Sequence, residues 1–326
     1  MSTLYPLKLQ PIFKQKIWGG NKMASLLKQH YAPLNNCGEL WLISGLEEQA
    51  SVVTNGFLQG NTLPELLETY MTDLVGEKVY DKFGNEFPLL FKLINAEDFL
   101  SVQVHPNDAL AMERHDSLGK TELWYVLDAD SEAILISGFE PKTDSDAYLK
   151  HLKKNTLAEI LHYDSVKAGD AFYVPAGLVH AVGPGIVLAE IQQSSDITYR
   201  IYDWNRLDVA GLPRELHTDL ALDAINFGEP SHKSHPRPTG KGLPALVHDS
   251  EYFTVNLFEL NKKLTLDYCE IDSFVAFVCT EGSFELNTDS TSDIVNAGEA
   301  ILLPADITEI ELVPKPACKI LETYIK

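Results

Sequence analysis

Polar and apolar positions alternate with a period of two along several short stretches of this chain, the pattern of β-strands with two unlike faces. Gln103 and His105 alternate with Val102 and Val104, and Pro106 ends that run. Lys120 and Glu122 stand two apart at the start of a second run that reaches Tyr125. If these two strands pair, an amide, an imidazole, an ammonium and a carboxylate converge on one patch. Residues 171–174 read as a buried strand between the turn signals Gly169-Asp170 and Pro175-Ala176-Gly177, and the second turn delivers His180 onto the next strand. Glu190 and Gln192, then Thr198, Arg200 and Tyr202, continue the alternation. Strands are also predicted over 38–44, with Glu39 and Trp41 on one face, and over 49–54. The run 87–94 is apolar apart from Lys92, whose head must reach solvent, an acid or an anion.

Three segments change period. Leu63, Leu66, Leu67, Tyr70 and Leu74 recur at helical spacing within 61–83, opened by Thr62, Pro64 and Glu65. Residues 143–163 read as two helices broken at Asn155-Thr156, and 213–226 as an amphipathic helix. Residues 228–244 are rich in Pro, Ser, His and Gly without periodicity, which marks a linker. His151 and His162 on the helices, and His232 and His235 in the linker, read as surface residues rather than ligands.

After the linker, strands resume over 252–260, 264–271 and 273–280. Residues 295–305 then align without a gap on 166–176, an offset of 295 − 166 = 129. Two units of similar plan are implied. Five residues beyond Pro304 stands Glu309, where the first copy has His180, and no histidine follows His248. The expected division is a catalytic domain over 1–228 carrying the helical insertions, a linker over 229–244, and a smaller second domain over 245–326 without metal ligands.

Composition narrows the function classes. The chain of 326 residues has room for about two domains. Its start has neither a basic segment nor an apolar core, so no secretory leader is expected, and no stretch is apolar for long enough to span a membrane. The cysteines Cys37, Cys269, Cys279 and Cys318 are scattered, which suits reduced thiols in the cytoplasm. A formal net charge of −21 excludes nucleic acid and membrane surfaces as partners. A phosphorylated small molecule would be accepted only where cations concentrate, near residues such as Lys120 and Arg200.

The isolated polar strands have a bland reading, an outer face turned to water. The pattern Gly169-Asp170, Pro175 five residues after the Asp, and His180 five after the Pro resembles the second signature of the cupin jelly roll. His105 and Glu122 match its first. The resemblance implies a mainly β fold of two cupin-type jelly rolls (double-stranded β-helices), with helical insertions in and after the first. It also implies that His105, Glu122 and His180 meet on one metal, with Gln103 alongside. Such a set suits Zn²⁺, one per chain, or another first-row ion with an open position.

Longer fragments resemble the type I mannose-6-phosphate isomerases in their short bacterial form. They are Trp18-Gly19-Gly20, Gly38-Glu39-Leu40-Trp41, Phe91-Lys92-Leu93-Ile94, 101–108, 120–125, the Pro175–His180 turn and 192–204. The resemblance implies interconversion of mannose 6-phosphate and fructose 6-phosphate through a cis-enediol. It implies His105, Glu122, His180 and Gln103 as zinc ligands, Arg200 as the active-site arginine, and Lys120 and Asp196 as proton-transfer candidates. Lys92 is a candidate for the substrate phosphate. Leu42 stands where many relatives carry a Glu. Two other classes use the same fold: a metal-dependent cupin dioxygenase and a non-catalytic sugar-binding cupin. The partner expected is a sugar phosphate, with the protein a monomer or a dimer.

Overall fold

A computed structural model describes residues 4–207, 211–228, 231–238 and 242–326. The first unit is built from two antiparallel sheets. The larger runs Lys233–Ser234, Ala171–Val174, Glu122–Ala129, Ile186–Gln193, Leu89–Ala96, Glu39–Ile43, Ile12–Lys14. The smaller runs Tyr199–Tyr202, Val102–Val104, His180–Val182, Ile134–Phe139, Leu161–Ser165. The two runs expected to pair therefore do not. Val102–Val104 pairs with His180–Val182 and Tyr199–Tyr202, and Glu122–Ala129 belongs to the other sheet. Their polar residues meet across the barrel instead of along one face.

The large sheet is buried on both sides, which explains why Leu89–Ala96 is buried along its whole length and apolar except at Lys92 and Asn95. Ile94, Trp124, Val126, Phe172 and Leu188 fill the barrel interior. Their neighbours Leu93, Leu123 and Ile191 face outward onto the second unit, where Val255, Leu257, Ala276 and Leu321 complete one shared core. Helices cover the outer face of the small sheet through Tyr148, Leu157, Ala221 and Ile225.

The second unit is a single sheet wrapped on itself. Its long strands Val275–Asn287 and Glu309–Tyr324 bend at register shifts and take different neighbours in each half. The repeat survives in three dimensions at the same offset. Ala171–Val174 corresponds to Ala300–Leu303, Gly169 (φ 86°) to Gly298 (φ 82°), and strands begin at His180 and at Glu309. Each copy is capped by a two-residue strand from outside its unit, the first by Lys233–Ser234 of the linker and the second by Leu7–Lys8 of the first unit. Lys233 lies opposite Phe172 and Lys8 opposite Ile301, and these lysines pair with Asp170 (2.8 Å) and Glu299 (2.9 Å).

Several elements differ from the pattern. The segment 61–83 forms two helices, Leu63–Val75 and Glu77–Phe83, the first opened by a capping box between Thr62 and Glu65. In 143–163 only Ser145–Lys153 is α-helical. A 3₁₀ turn over Leu157–Ile160 leads into the strand Leu161–Ser165, whose edge pairing with Ile134–Phe139 overrides its helical spacing. The helix expected over 213–226 spans only Thr218–Ala224, because the chain before it stays tied to the strand ahead: His217 N–H donates to the Arg200 carbonyl (2.7 Å). Residues 49–54 form no continuous strand, only bridges at Val52 and Val53. Asp108–His115, to which the pattern assigned no element, is a helix capped by the Asn107 side chain, which accepts from Leu110 N–H at 2.9 Å. No described helix is long and apolar enough to cross a membrane.

Candidate functional site

His105 follows the short strand of the small sheet, His180 opens its neighbour, and Glu122 opens a strand of the facing sheet. One ligand atom from each lies within 4.8 Å of the other two, and all three are buried. Each imidazole donates Nδ1–H to a backbone carbonyl, His105 to Ile197 (2.8 Å) and His180 to Leu178 (2.8 Å). A carbonyl can only accept, so Nε2 carries the lone pair in both rings and turns it inward. Glu122 Oε1 lies 3.1 Å from His105 Nε2 and 2.8 Å from Lys120 Nζ, yet accepts no hydrogen bond in its buried position.

Two inward lone pairs beside a buried carboxylate make a donor set that fits a divalent cation. Burial, helped by Lys120, pushes His105 down to about 3, and burial also lowers His180, so both rings are neutral and ready to ligate. Burial alone would raise Glu122; the Lys120 ammonium more than reverses it and holds it well below the usual carboxylate range. Gln103 stands at the edge, its Nε2 3.3 Å from His180 Nε2. Turning the amide over would present its oxygen instead. Among the described residues this is the one such cluster. In the second barrel Phe258, Phe277, Phe284 and Leu312 fill the interior, and Glu309 is exposed.

A cavity of about 330 Å³ opens beside the triad, reached through Gln103 and Lys120. Lys14, Lys16, Lys92, Lys120, Arg200 and Arg214 line it, against Glu39, Glu190 and Asp196. Six cations against three carboxylates make a positive pocket in a chain of formal charge −21.

One row of side chains crosses the large sheet from the triad outward. Trp124 lies opposite Glu190, Glu190 opposite Lys92, and Lys92 opposite Trp41. Lys92 does not snorkel. It donates to Gln192 Oε1 (2.6 Å) and pairs with Glu190 (3.1 Å), and although burial opposes its charge, Glu190 and Glu39 raise it above its ordinary value. Burial, reinforced by Glu122, raises Glu190. Glu39 takes Lys16 (2.9 Å) and the Trp41 indole N–H (2.8 Å); burial would raise it, but Lys92 and Lys16 pull it down to about 2.

Arg200 donates to the Glu215 carbonyl (2.9 Å), and its Nε–H is buried without an acceptor. Among the described residues no ion pair joins it to Asp196. The acid of this region is Asp203, gripped by Arg206 (2.7 Å) and by Arg214, whose Nε lies at 2.7 Å. Trp18 is both buried and part of the cavity wall, and Leu42 is packed in the core.

Sequence reasoning did not assign Glu190, Glu39, Lys14, Lys16 or Arg214 to the site. Glu190 carried a usable signal, a carboxylate inside a strand buried on both faces. Lys14 and Arg214 carried none, being ordinary surface residue types.

A family model described as phosphomannose isomerase type I, catalytic domain, matches residues 6–140, and another, mannose-6-phosphate isomerase, cupin domain, matches 245–324. Mannose-6-phosphate isomerase of Streptococcus mutans is 36% identical over 307 residues, 93% of either chain. The chain belongs to the type I phosphomannose isomerase family. ManA of Bacillus subtilis, a mannose-6-phosphate isomerase, is 35% identical, covering 95% of this chain and 96% of its own. The crystal structure of the Bacillus subtilis mannose 6-phosphate isomerase superposes with a TM-score of 0.87 at 31% identity, over 98% of this chain and 99% of that one. A putative mannosephosphate isomerase from Archaeoglobus fulgidus, 20% identical with a TM-score of 0.78, shares the fold.

Proposed function

We propose that the protein interconverts mannose 6-phosphate and fructose 6-phosphate by proton transfer through a cis-enediol, with one Zn²⁺ held by His105, Glu122 and His180 and with Gln103 alongside. The observation that carries this reading is the positive cavity beside a buried His105–Glu122–His180 triad. When bound, the ion supplies a Lewis-acidic contact for the sugar oxygens at the reacting end.

The chain's own residues do the rest. Lys120 Nζ, 3.2 Å from His105 Nε2 and 2.8 Å from Glu122, is placed to move a proton at that end. Asp196 is exposed on the same cavity and, among the described residues, free of any ion pair, so it can accept or return a proton with solvent. Arg200 offers its unpaired Nε–H to the negative charge of the enediolate. Lys92 adds positive charge to the wall that receives the substrate. The four free thiols are consistent with a cytoplasmic enzyme.

A coupled assay of mannose 6-phosphate conversion, run before and after chelation and again after zinc return, tests the reading. Activity lost on chelation and restored by zinc is expected. Full activity in the chelated protein would overturn the metal assignment, and no conversion under any metal would overturn the reaction.

A further inference from the structure

Of the six cations in the cavity, four are already within ion-pair distance of a carboxylate. Lys16 pairs with Glu39, Lys92 with Glu190, Lys120 with Glu122 and Arg214 with Asp203. Lys14 and Arg200 have no such partner among the described residues. Arg200 is on the small sheet with the two histidines, its strand pairing with that of Gln103. Lys14 is elsewhere, on the edge strand Ile12–Lys14 of the large sheet, four strands from Glu122 in the order Glu122–Ala129, Ile186–Gln193, Leu89–Ala96, Glu39–Ile43, Ile12–Lys14.

What holds Lys14 is an aromatic face. Its Nζ lies 3.6 Å from the centroid of the Trp41 ring. The indole is itself fixed, because its N–H donates to Glu39 Oε2 (2.8 Å), and Glu39 is fixed by Lys16. The face of an indole attracts a cation without consuming its hydrogen bonds, so the three N–H donors of Lys14 stay available inside the cavity. Burial weakens the charge on Lys14, which leaves it in need of an anion.

We propose that Lys14, cradled by Trp41, binds the phosphate of the substrate and so makes the site select phosphorylated over unphosphorylated sugars. The inference rests on the sugar-phosphate reading above and adds its specificity determinant. The cavity that opens beside the triad at Gln103 and Lys120 also carries Glu190, Lys92, Trp41 and Lys14 on its wall, so a sugar with its reacting carbons at the triad would turn its far end toward this edge. A phosphate dianion arriving there meets an unneutralised ammonium, whereas at Lys92 it would compete with Glu190 and Gln192.

The experiment compares the zinc-loaded wild-type protein with Lys14→Gln and Lys14→Arg. Calorimetric binding of a hexitol 6-phosphate, which needs no turnover, is measured beside inhibition by inorganic phosphate and by the unphosphorylated hexitol. Lys14→Gln is expected to weaken both phosphate-bearing probes by about ten- to hundredfold. The neutral hexitol should be unaffected, the loss in turnover should fall mainly on KM, and Lys14→Arg should restore most of the binding. A Lys14→Gln protein with wild-type affinity for hexitol 6-phosphate overturns the proposal. So does equal weakening of the neutral hexitol, which would make Lys14 a support for Trp41 only. If the wild-type protein binds hexitol 6-phosphate but turns over no mannose 6-phosphate, the reaction assignment fails while the role of Lys14 is still decided by the binding data.

Discussion

Glu122 and Glu190, on neighbouring strands, share a single proton donor: Trp124 Nε1–H lies 3.0 Å from a carboxylate oxygen of each. Glu122 is the anionic member of the triad and Glu190 holds Lys92, so one indole orients both the metal-side acid and the start of the positive wall. Replacing Trp124 by Phe keeps the ring and removes the donor. Metal affinity is expected to fall by about ten- to hundredfold, the usual effect of removing a partner that orients a ligand. Competition with a chromophoric chelator measures it; unchanged affinity would mean the indole only fills space.

Arg200→Ala removes a half-buried guanidinium that touches none of His105, Glu122 and His180 through any bond described above. Turnover should drop by about a hundredfold or more, as when an oxyanion-stabilising donor is lost. Metal content, read by atomic absorption on the same samples, should stay near one ion per chain. Parallel loss of metal and activity would make Arg200 a structural residue.

Acid should destabilise the metal-free protein through its histidines. The folded-state values of His105 and His180 lie below the ordinary one, His105 at about 3, whereas the unfolded chain takes up these protons from about pH 6.5 downward. The unfolded state then binds more protons, so stability falls as pH drops. Each such imidazole contributes about 1.4 kcal/mol per pH unit within that window. Denaturant unfolding of chelated wild type and His105→Gln at pH 7.5, 6.5 and 5.5 should show the wild type falling more steeply below 6.5. Parallel profiles would contradict a buried neutral His105.

The repeated turn predicts matching backbone costs in both units. Gly169 and Gly298 hold positive φ, and a Cβ there would lie 2.9 Å from His235 and 2.7 Å from Gln29 respectively. Alanine at either glycine should cost about 1–2 kcal/mol from the left-handed backbone alone. Thermal unfolding measures this. Gly298→Ala should leave metal binding intact, because its unit holds none of the ligands.

Much of the site was legible because the chemistry is written in local strings. Gln103 and His105 around Val104, Lys120 two before Glu122, and His180 five after Pro175 pointed to the cluster in which the structure gathers His105, Glu122 and His180. The gapless match of 166–176 with 295–305, and the Glu309 that replaces a histidine, likewise announced two barrels of which only the first carries a candidate metal cluster among the described residues. Asp108–His115 escaped because its polar face is as uninformative as a loop, and the strand Leu161–Ser165 because its partner, not its period, decided its conformation.

The sequence by itself determined which side chains could ligate and which copy of the repeat had lost that ability, since residue type and spacing are local properties. Only the tertiary structure decided that Glu122 faces His105 and His180 from the opposite sheet, that Lys92 is spent on Glu190, and that Lys14 is not spent at all. Pairing across a barrel depends on register and closure, which bring together residues far apart in the chain. Whether a charge is neutralised depends on those neighbours and on nothing a one-dimensional pattern contains.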